Sequence, residues 1–246
     1  MKTAMKSALL ALLFVPTLVQ AIGINSMIEF SKNDEGRFVI TNSEDYRQFI
    51  QVAIASIEIK DGKLVKHPYT RDNIDLWSLT VRPSKAVIDP GLQKDFKVTY
   101  NGKPSERDDR DKIFQVTFVP TPYFAEGEPA KKAVQIAIGF APIFVVPAKT
   151  DQPLNYSLSF NSQHMQFSNN GNSYIRALLD SCPSSVKGDA RESCSKVVYV
   201  LAGRNLEVTL TPEMKKASSM KVELSTHHLT YKKTVILERG KTVTSQ

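Results

Sequence analysis

An uncharged run of residues from Ala133 to Pro147 constrains the fold of this 246-residue chain more than any other feature. Large apolar side chains alternate with glutamine or small residues in its first half, at Val134, Ile136, Ile138 and Phe140. A repeat of two predicts a β-strand. A surface strand normally carries charged residues on its second face, whereas this strand has small ones. The pattern therefore predicts an apolar stripe that packs against another surface.

Two interpretations of this stripe remain open from the pattern. The stripe either lies in the core of the chain's own sandwich or faces a partner. The residues that follow, Ile143 to Val146, are apolar at successive positions. A strand of this kind is typically buried on both faces, so we expect this second part of the run to be structural. Pro142 lacks a backbone donor and predicts an edge or a bulge between the two parts.

Short alternating segments recur along the whole chain, and helical patterns are almost absent. Turn signals such as Asp89-Pro90-Gly91 and Asn169-Asn170-Gly171 separate these segments. The polar stretch from Pro147 to Pro153 has the composition of a linker. About seven strands are predicted on each side of it, as in an immunoglobulin-like sandwich. We therefore predict an all-β chain with two immunoglobulin-like β-sandwich domains in tandem, covering residues 22–148 and 149–246.

The first 21 residues have the pattern of a secretory signal peptide. Lys2 and Lys6 precede an apolar stretch from Ala8 to Leu18, and Val19-Gln20-Ala21 is a small-residue cleavage site. We therefore expect export without membrane insertion. Cys182 and Cys194 are the chain's two cysteines. In an oxidising compartment their spacing predicts one disulfide that closes a short loop.

Composition and motifs argue against several classes of function. The net charge is +7, but the basic residues are scattered and form no aromatic-interleaved motif for nucleic acid. Neither cysteine has a histidine pair at ligand spacing, so no metal or other cofactor is predicted. Ser-x-x-Lys occurs three times without the accompanying elements of a penicillin-recognising enzyme. We therefore expect a protein that is not an enzyme.

Several segments, in order along the chain, resemble periplasmic chaperones of the chaperone–usher pilus pathway. Near the middle of the first half, Asp109 to Phe114 is similar to that family's motif before strand F, and Val134 to Ile138 is similar to its alternating strand G. The remaining similar segments are Val39 to Ser43, Leu79 to Ile88, Pro90 to Gln93, Phe96 to Val98, Pro147 and Phe167 to Asn172. The ending of the uncharged run and the cysteine spacing resemble a divergent branch that includes chaperones of the E. coli common pilus type.

The resemblance implies a function in the periplasm. Chaperones of this family donate strand G to pilin subunits whose own last strand is missing, and deliver the subunits to an outer-membrane usher. This implies that Val134, Ile136, Ile138 and Phe140 bind the subunit. Unpaired strand edges aggregate unless they are covered, and an added strand supplies both hydrogen bonds and alternating side chains. A pilus subunit or an extracytoplasmic adhesin is the alternative.

The chain departs from this family at the site that anchors the subunit's C-terminal carboxylate. The usual members carry an arginine in the first strand and a lysine near the end of strand G. Here Ile22 to Phe30 contains no basic residue, and Ala141-Pro142-Ile143 occupies the later position. Lys32, Arg37 and Lys149 are the substitute candidates for this anchor.

Overall fold

The computed structural model of the protein describes residues 22–102, 108–124 and 138–245. Strands dominate these residues. The helices are short: two 3₁₀ helices, Arg71–Leu76 and Gly188–Ser193, and one α-helix, α1 (Pro212–Lys216). In the described chain, no helix combines the length and the apolar character that crossing a bilayer requires.

In the first part of the chain, the described residues form ten strands in two sheets that pack face to face. The strands are β1 (Ile22–Ile24), β2 (Ile28–Phe30), β3 (Glu35–Asn42), β4 (Gln48–Lys60), β5 (Lys63–Pro68), β6 (Leu79–Arg82), β7 (Lys85–Ile88), β8 (Gln93–Tyr100), β9 (Lys112–Pro122) and β10 (Ile143–Val146). One sheet has the order β1-β3-β8-β6. The other has the order β2-β10-β9-β4-β5, with β7 also paired to β4.

Eight strands in the second part of the chain form another pair of sheets. The strands are β11 (Tyr156–Phe160), β12 (His164–Asn169), β13 (Ile175–Asp180), β14 (Ser195–Val200), β15 (Asn205–Thr209), β16 (Ser219–Ser225), β17 (Lys232–Glu238) and β18 (Thr242–Thr244). The sheet orders are β15-β12-β11-β18 and β14-β13-β16-β17. The all-β architecture of two sandwiches in tandem, predicted from the alternating segments, is confirmed.

Aromatic rings fill the core of the first sandwich. Phe118 on β9 meets Phe38 and Phe96 edge-on, with ring centroids 5.6 and 5.0 Å away. Phe144 on β10 completes the group and is fully buried. A Cβ atom at Gly36 would overlap the Phe144 ring, so glycine at this position lets the ring lie close to β3.

Buried asparagines organise an equivalent turn in each sandwich. Asn42 ends β3, Asn169 ends β12, and both are completely buried. Each side-chain oxygen accepts a hydrogen bond from the backbone N–H two residues later, at 3.0 Å. Each side-chain amide donates at 2.9 Å to the carbonyl four residues later and to a carbonyl of a distant segment. These carbonyls belong to Tyr46 and Ile88 for Asn42, and to Ser173 and Val200 for Asn169. The two sandwiches therefore share a structural repeat that no repeat in the sequence reveals.

Three features of the local structure differ from what the sequence pattern predicts. The segment from Leu76 to Val81 has the composition of a strand, but a 3₁₀ helix ends at Leu76 and β6 begins at Leu79. A tryptophan is typically a core residue, but Trp77 is 38% exposed and stacks on Tyr69, and its indole N–H donates to Asn73. Prolines at 120 and 122 predict the end of a strand after Val119, but β9 continues to Pro122, because β4 pairs with it as far as this residue.

The predicted disulfide is confirmed. Cys182 and Cys194 are joined, with their Cα atoms 5.0 Å apart. The loop that they close contains the second 3₁₀ helix. Arg191 in this helix forms an ion pair of 2.6 Å with Asp180 at the end of β13. The disulfide and the ion pair together hold the loop against the sheet.

Candidate functional site

The candidate donor strand is described in part. Val134 and Ile136 lie outside the described residues. The side chain of Ile138 is 71% exposed, and Phe140 is half-buried against the aromatic core of the first sandwich. The exposed side of the stripe therefore includes Ile138, whereas Phe140 packs against its own sandwich.

The segment that contains Ile138 and Phe140 is attached to the sheet along one edge. Phe140 and Phe118 exchange two backbone hydrogen bonds, of 3.0 and 2.7 Å. The N–H of Val116 donates to the carbonyl of Pro142 at 3.0 Å. A Cβ atom at Gly139 would lie 2.8 Å from the carbonyl oxygen of Phe118, so glycine permits this close approach.

The other edge of this segment is open. Phe140 directs its backbone groups toward β9, so those of its neighbour Gly139 point the opposite way. Within the described residues, Gly139 has no hydrogen-bond partner. Regular pairing resumes only at Ile143, after Pro142, and the ladder is interrupted at this proline as expected. Within the described residues, Gly139 therefore presents an unpaired backbone edge beside the exposed Ile138, whereas the carbonyl of Ala141 accepts a hydrogen bond from the side-chain amide of Gln115 at 3.3 Å.

Strand β10 continues the same segment but is enclosed on every side. It pairs with β9 on one edge and, in parallel, with β2 on the other. Phe144 points into the aromatic core, while Val145 joins an apolar cluster with Tyr174 and Leu201 of the second sandwich. The expectation that Ile143 to Val146 is structural agrees with this burial, although Ile143 itself is only half-buried.

Two of the three candidate anchor residues line one cleft between the sandwiches. Lys32 and Lys149 border a cavity of about 750 Å³, and His227 and His228 border its far side. The ammonium group of Lys149 forms an ion pair of 2.8 Å with Asp108, which raises the pKa of Lys149. Lys32 has no acidic partner within the described residues. The cleft therefore contains one lysine that is available to an added carboxylate.

Arg37, the third candidate, lies elsewhere. It lines a separate cavity of about 550 Å³ together with Lys32, Glu29 and Asp95. Its guanidinium is 3.1 Å from the carboxylate of Asp95. Burial raises the pKa of Glu29, and the charge of Arg37 opposes this shift. The structure therefore does not bring all three candidates to one site.

Asp111 is a buried residue that the sequence pattern does not predict, because it belongs to the charged segment from Ser105 to Lys112, which has the composition of an exposed loop. Its carboxylate accepts hydrogen bonds from the N–H groups of Ala148, at 2.9 Å, and Tyr174, at 2.6 Å. Its own N–H donates to the carbonyl of Asn172 at 3.0 Å. Burial raises its pKa to about 6, against the effect of these hydrogen bonds. Asp111 therefore links the end of β10 to the second sandwich.

The residues around Asp111 form a close junction between the sandwiches. Phe30 on β2 stacks against Tyr174, with ring centroids 4.4 Å apart, and the Tyr174 hydroxyl is 2.7 Å from His227 Nδ1. Burial lowers the pKa of His227. His227 lies in a turn after β16 rather than on a strand, so its ring meets that of His228. In the described chain, no three histidine, cysteine or acidic side chains are grouped as metal ligands.

Comparison with known proteins gives a family and a fold. The sequence model of the family described as CS5 fimbrial protein N-terminal domain matches residues 24–147, half of the chain. A relative from Escherichia coli, described as an uncharacterized 25.9 kDa protein in the CS5 3′ region, is 26% identical over 179 residues. This match spans 72% of the present chain and 77% of the relative.

Two solved structures share the fold. One is from the complex of the Salmonella enterica SafA pilin with the SafB chaperone. It has a TM-score of 0.51 and 12% sequence identity, and the alignment covers 90% of this chain and 98% of that chain. The other is the periplasmic chaperone SfaE. It has a TM-score of 0.50 and 11% sequence identity, and the alignment covers 89% of this chain and 100% of that chain. The likeness confirms the predicted fold, and the family match confirms the fimbrial kinship inferred from the motifs. The chain belongs to the CS5 fimbrial protein N-terminal domain family.

Proposed function

We propose that this protein is a periplasmic chaperone that caps fimbrial subunits by donor-strand complementation and delivers them to an outer-membrane usher. The observation that carries the proposal is the half-paired segment at Gly139 and Phe140: Phe140 is bonded to β9, and within the described residues the backbone groups of Gly139 have no partner. The family match and the fold shared with pilus chaperones support it. In this proposal residues 1–21 are a signal peptide, residues 22–148 form the subunit-binding domain and residues 149–246 form the second domain.

The proposed binding combines hydrogen bonds with side-chain burial. A strand of the subunit pairs with the open edge at Gly139, and Val134, Ile136 and Ile138 enter the groove that the subunit's missing strand leaves. Phe140 contributes only the part of its ring that its own sandwich leaves exposed. Each large apolar side chain buried in this way contributes roughly 1.5–3 kcal/mol before ordering costs. Binding of this kind forms no covalent bond, so the proposal requires neither an enzyme activity nor a cofactor.

The site where the donated edge ends suggests how the subunit's last residue is held. Strand β2 takes over the outer edge of β10 from Ile143 onward, so an added strand must end near this point. The cleft lined by Lys32 and Lys149 lies beyond it. We propose Lys32 as the main contact for the subunit's terminal carboxylate, because Lys149 is already paired with Asp108. Arg37, paired with Asp95, is the weaker candidate.

Co-expression with fimbrial subunits of the same strain tests the proposal. We expect a soluble periplasmic complex of one chaperone and one subunit, measured by size-exclusion chromatography with light scattering. Without the chaperone, the subunit should be degraded or aggregate, because its strand edges are uncovered. Equal recovery of soluble subunit in the absence of this protein would overturn the proposal. Polymerisation of the purified protein itself would instead identify it as a pilus subunit.

A further inference from the structure

The second sandwich has a slot on the side where its two sheets diverge. Strand β17 belongs to one sheet and β18 to the other, and the turn 239–241 joins them. A cavity of about 520 Å³ lies between the two strands. Leu154, Val235 and Val243 line it, and all three are partly exposed members of the apolar core. The core of this sandwich is therefore incompletely covered at the slot.

The strand beside the slot has a free edge. β17 is the last strand of its sheet, and each of its residues is paired with β16 on the other side. Within the described residues, no strand pairs with its outer edge. Ile236 on this strand is 60% exposed. A strand edge with unpaired backbone groups next to an apolar slot is a site for β-augmentation, in which an extended peptide adds one strand.

The charge at the slot selects among possible occupants. Lys232 and Lys233 line the slot, neither has an acidic partner in the described chain, and no acidic residue lines it. A second copy pairing through the same edge would bring like charges together, which disfavours it. A lipid would leave the backbone edge unpaired. An extended peptide with acidic residues can hydrogen-bond to the outer edge of β17, cover the apolar residues of the slot and pair with the two lysines.

We propose that the slot between β17 and β18 binds an extended segment of a partner protein that carries apolar side chains next to acidic ones. The segment adds to the outer edge of β17, places an apolar side chain over Val235 and Val243, and presents its carboxylates to Lys232 and Lys233. This site is independent of the proposed donor strand, because it lies in the other sandwich.

A synthetic peptide tests this site in the full-length protein. The probe is a short fluorescent peptide in which valine alternates with threonine and aspartates follow, and a lysine-for-aspartate version is its counterpart. We expect the acidic peptide to bind, as measured by fluorescence anisotropy, and the basic peptide not to bind. Hydrogen exchange of the β17 amides should become slower when the acidic peptide is present. Replacing both lysines, as Lys232→Glu and Lys233→Glu, should weaken binding about tenfold or more.

A matched double variant controls for net charge. Strand β5 is also a sheet edge with two exposed lysines, and Lys63→Glu with Lys66→Glu should leave peptide binding unchanged. Equal binding of the two peptides, or an equal loss in both double variants, would overturn the proposal. Concentration-dependent dimers that show slowed exchange in β17 would assign the edge to a second copy and would also overturn it. Fimbrial subunit binding should persist in the Lys232→Glu, Lys233→Glu variant, which separates this site from the proposed chaperone function.

Discussion

The two described parts of the uncharged run, residues 138–141 and β10, have similar composition but different surroundings. Ile138 is largely exposed and the edge at Gly139 is open, whereas Phe144 and Val145 are completely buried. The difference arises from what lies on the outer edge. Strand β2 covers β10, and the second sandwich packs on it, but neither reaches residues 138–141 in the described chain. Apolar character therefore does not decide burial by itself; the neighbouring strand does.

Replacing one phenylalanine by alanine in each part tests this difference in burial and has the largest expected effect. Phe144→Ala should lower the free energy of unfolding by about 3–5 kcal/mol, because it empties a site in the aromatic core. Phe140→Ala should cost clearly less, since its ring is only half-buried. Urea denaturation followed by circular dichroism measures both. If both variants lose the same free energy of unfolding, Phe140 and Phe144 do not differ in how much their burial stabilises the fold.

Asp111 stabilises the enclosed part of the run, because its carboxylate accepts a hydrogen bond from the backbone N–H of Ala148, just beyond β10. Its folded pKa, about 6, lies above the ordinary value of 3.8. The folded state therefore binds the proton more tightly, and the stability that Asp111 provides is full below pH 4 and falls as the pH rises to about 6. This change amounts to at most about 3 kcal/mol.

The measurement for Asp111 is urea unfolding between pH 4 and 7. Asp111→Asn should remove this part of the pH dependence, so the difference between wild type and variant isolates it from other carboxylates. Asp108→Asn is the matched control, since Asp108 is exposed and pairs with Lys149 at the surface. If the two variants follow the same pH profile, burial of Asp111 has no such effect.

Ile138→Asp separates binding from stability at the open part of the run. The free energy of unfolding should change by less than about 0.5 kcal/mol, because the side chain is exposed. Subunit affinity should fall about thirtyfold or more, which corresponds to about 2 kcal/mol for the lost apolar burial. Isothermal titration calorimetry with a fimbrial subunit measures the affinity.

Ile74→Asp is the control for this prediction. Ile74 is 59% exposed on the first 3₁₀ helix, so the same charge is introduced at a similar exposure away from the open edge. Subunit binding should be retained. Unfolding of the Ile138→Asp protein would instead support the interpretation that the stripe belongs to the chain's own core.

The smallest expected effect concerns Lys32 in the cleft. Lys32→Ala should weaken subunit binding by about fivefold at most, because a solvent-accessible ion pair contributes at most about 1 kcal/mol. Arg37→Ala serves as the comparison, since Arg37 lines the other cavity. A subunit whose C-terminal carboxylate is amidated should bind wild type and Lys32→Ala with similar affinity. If Arg37→Ala weakens subunit binding more than Lys32→Ala does, the terminal carboxylate binds at the cavity lined by Arg37.

Much of the fold follows from local patterns, but the site does so only in part. Alternation predicted most strands, and the spacing of Cys182 and Cys194 predicted the disulfide. The apolar run predicted that β10 is structural. The burial of Asp111 could not be predicted from the sequence, because its neighbours in the chain are charged. Its hydrogen-bond donors, the backbone N–H groups of Ala148 and Tyr174, are distant in sequence. The missed extension of β9 past Pro120 has the same origin, since β4 pairs with it there.

The amino-acid sequence by itself determined which segments extend, where turns interrupt them and that two sandwiches follow one another, because these depend on residues close together in the chain. Tertiary structure decided which part of the uncharged run is enclosed, how Asp111 joins the two sandwiches and which lysines lie at one cleft. Each of these depends on contacts between segments that are distant in the chain; β2 and β10, for example, pair although more than a hundred residues separate them in the sequence. The edge that this pairing leaves open is the basis of the proposed function.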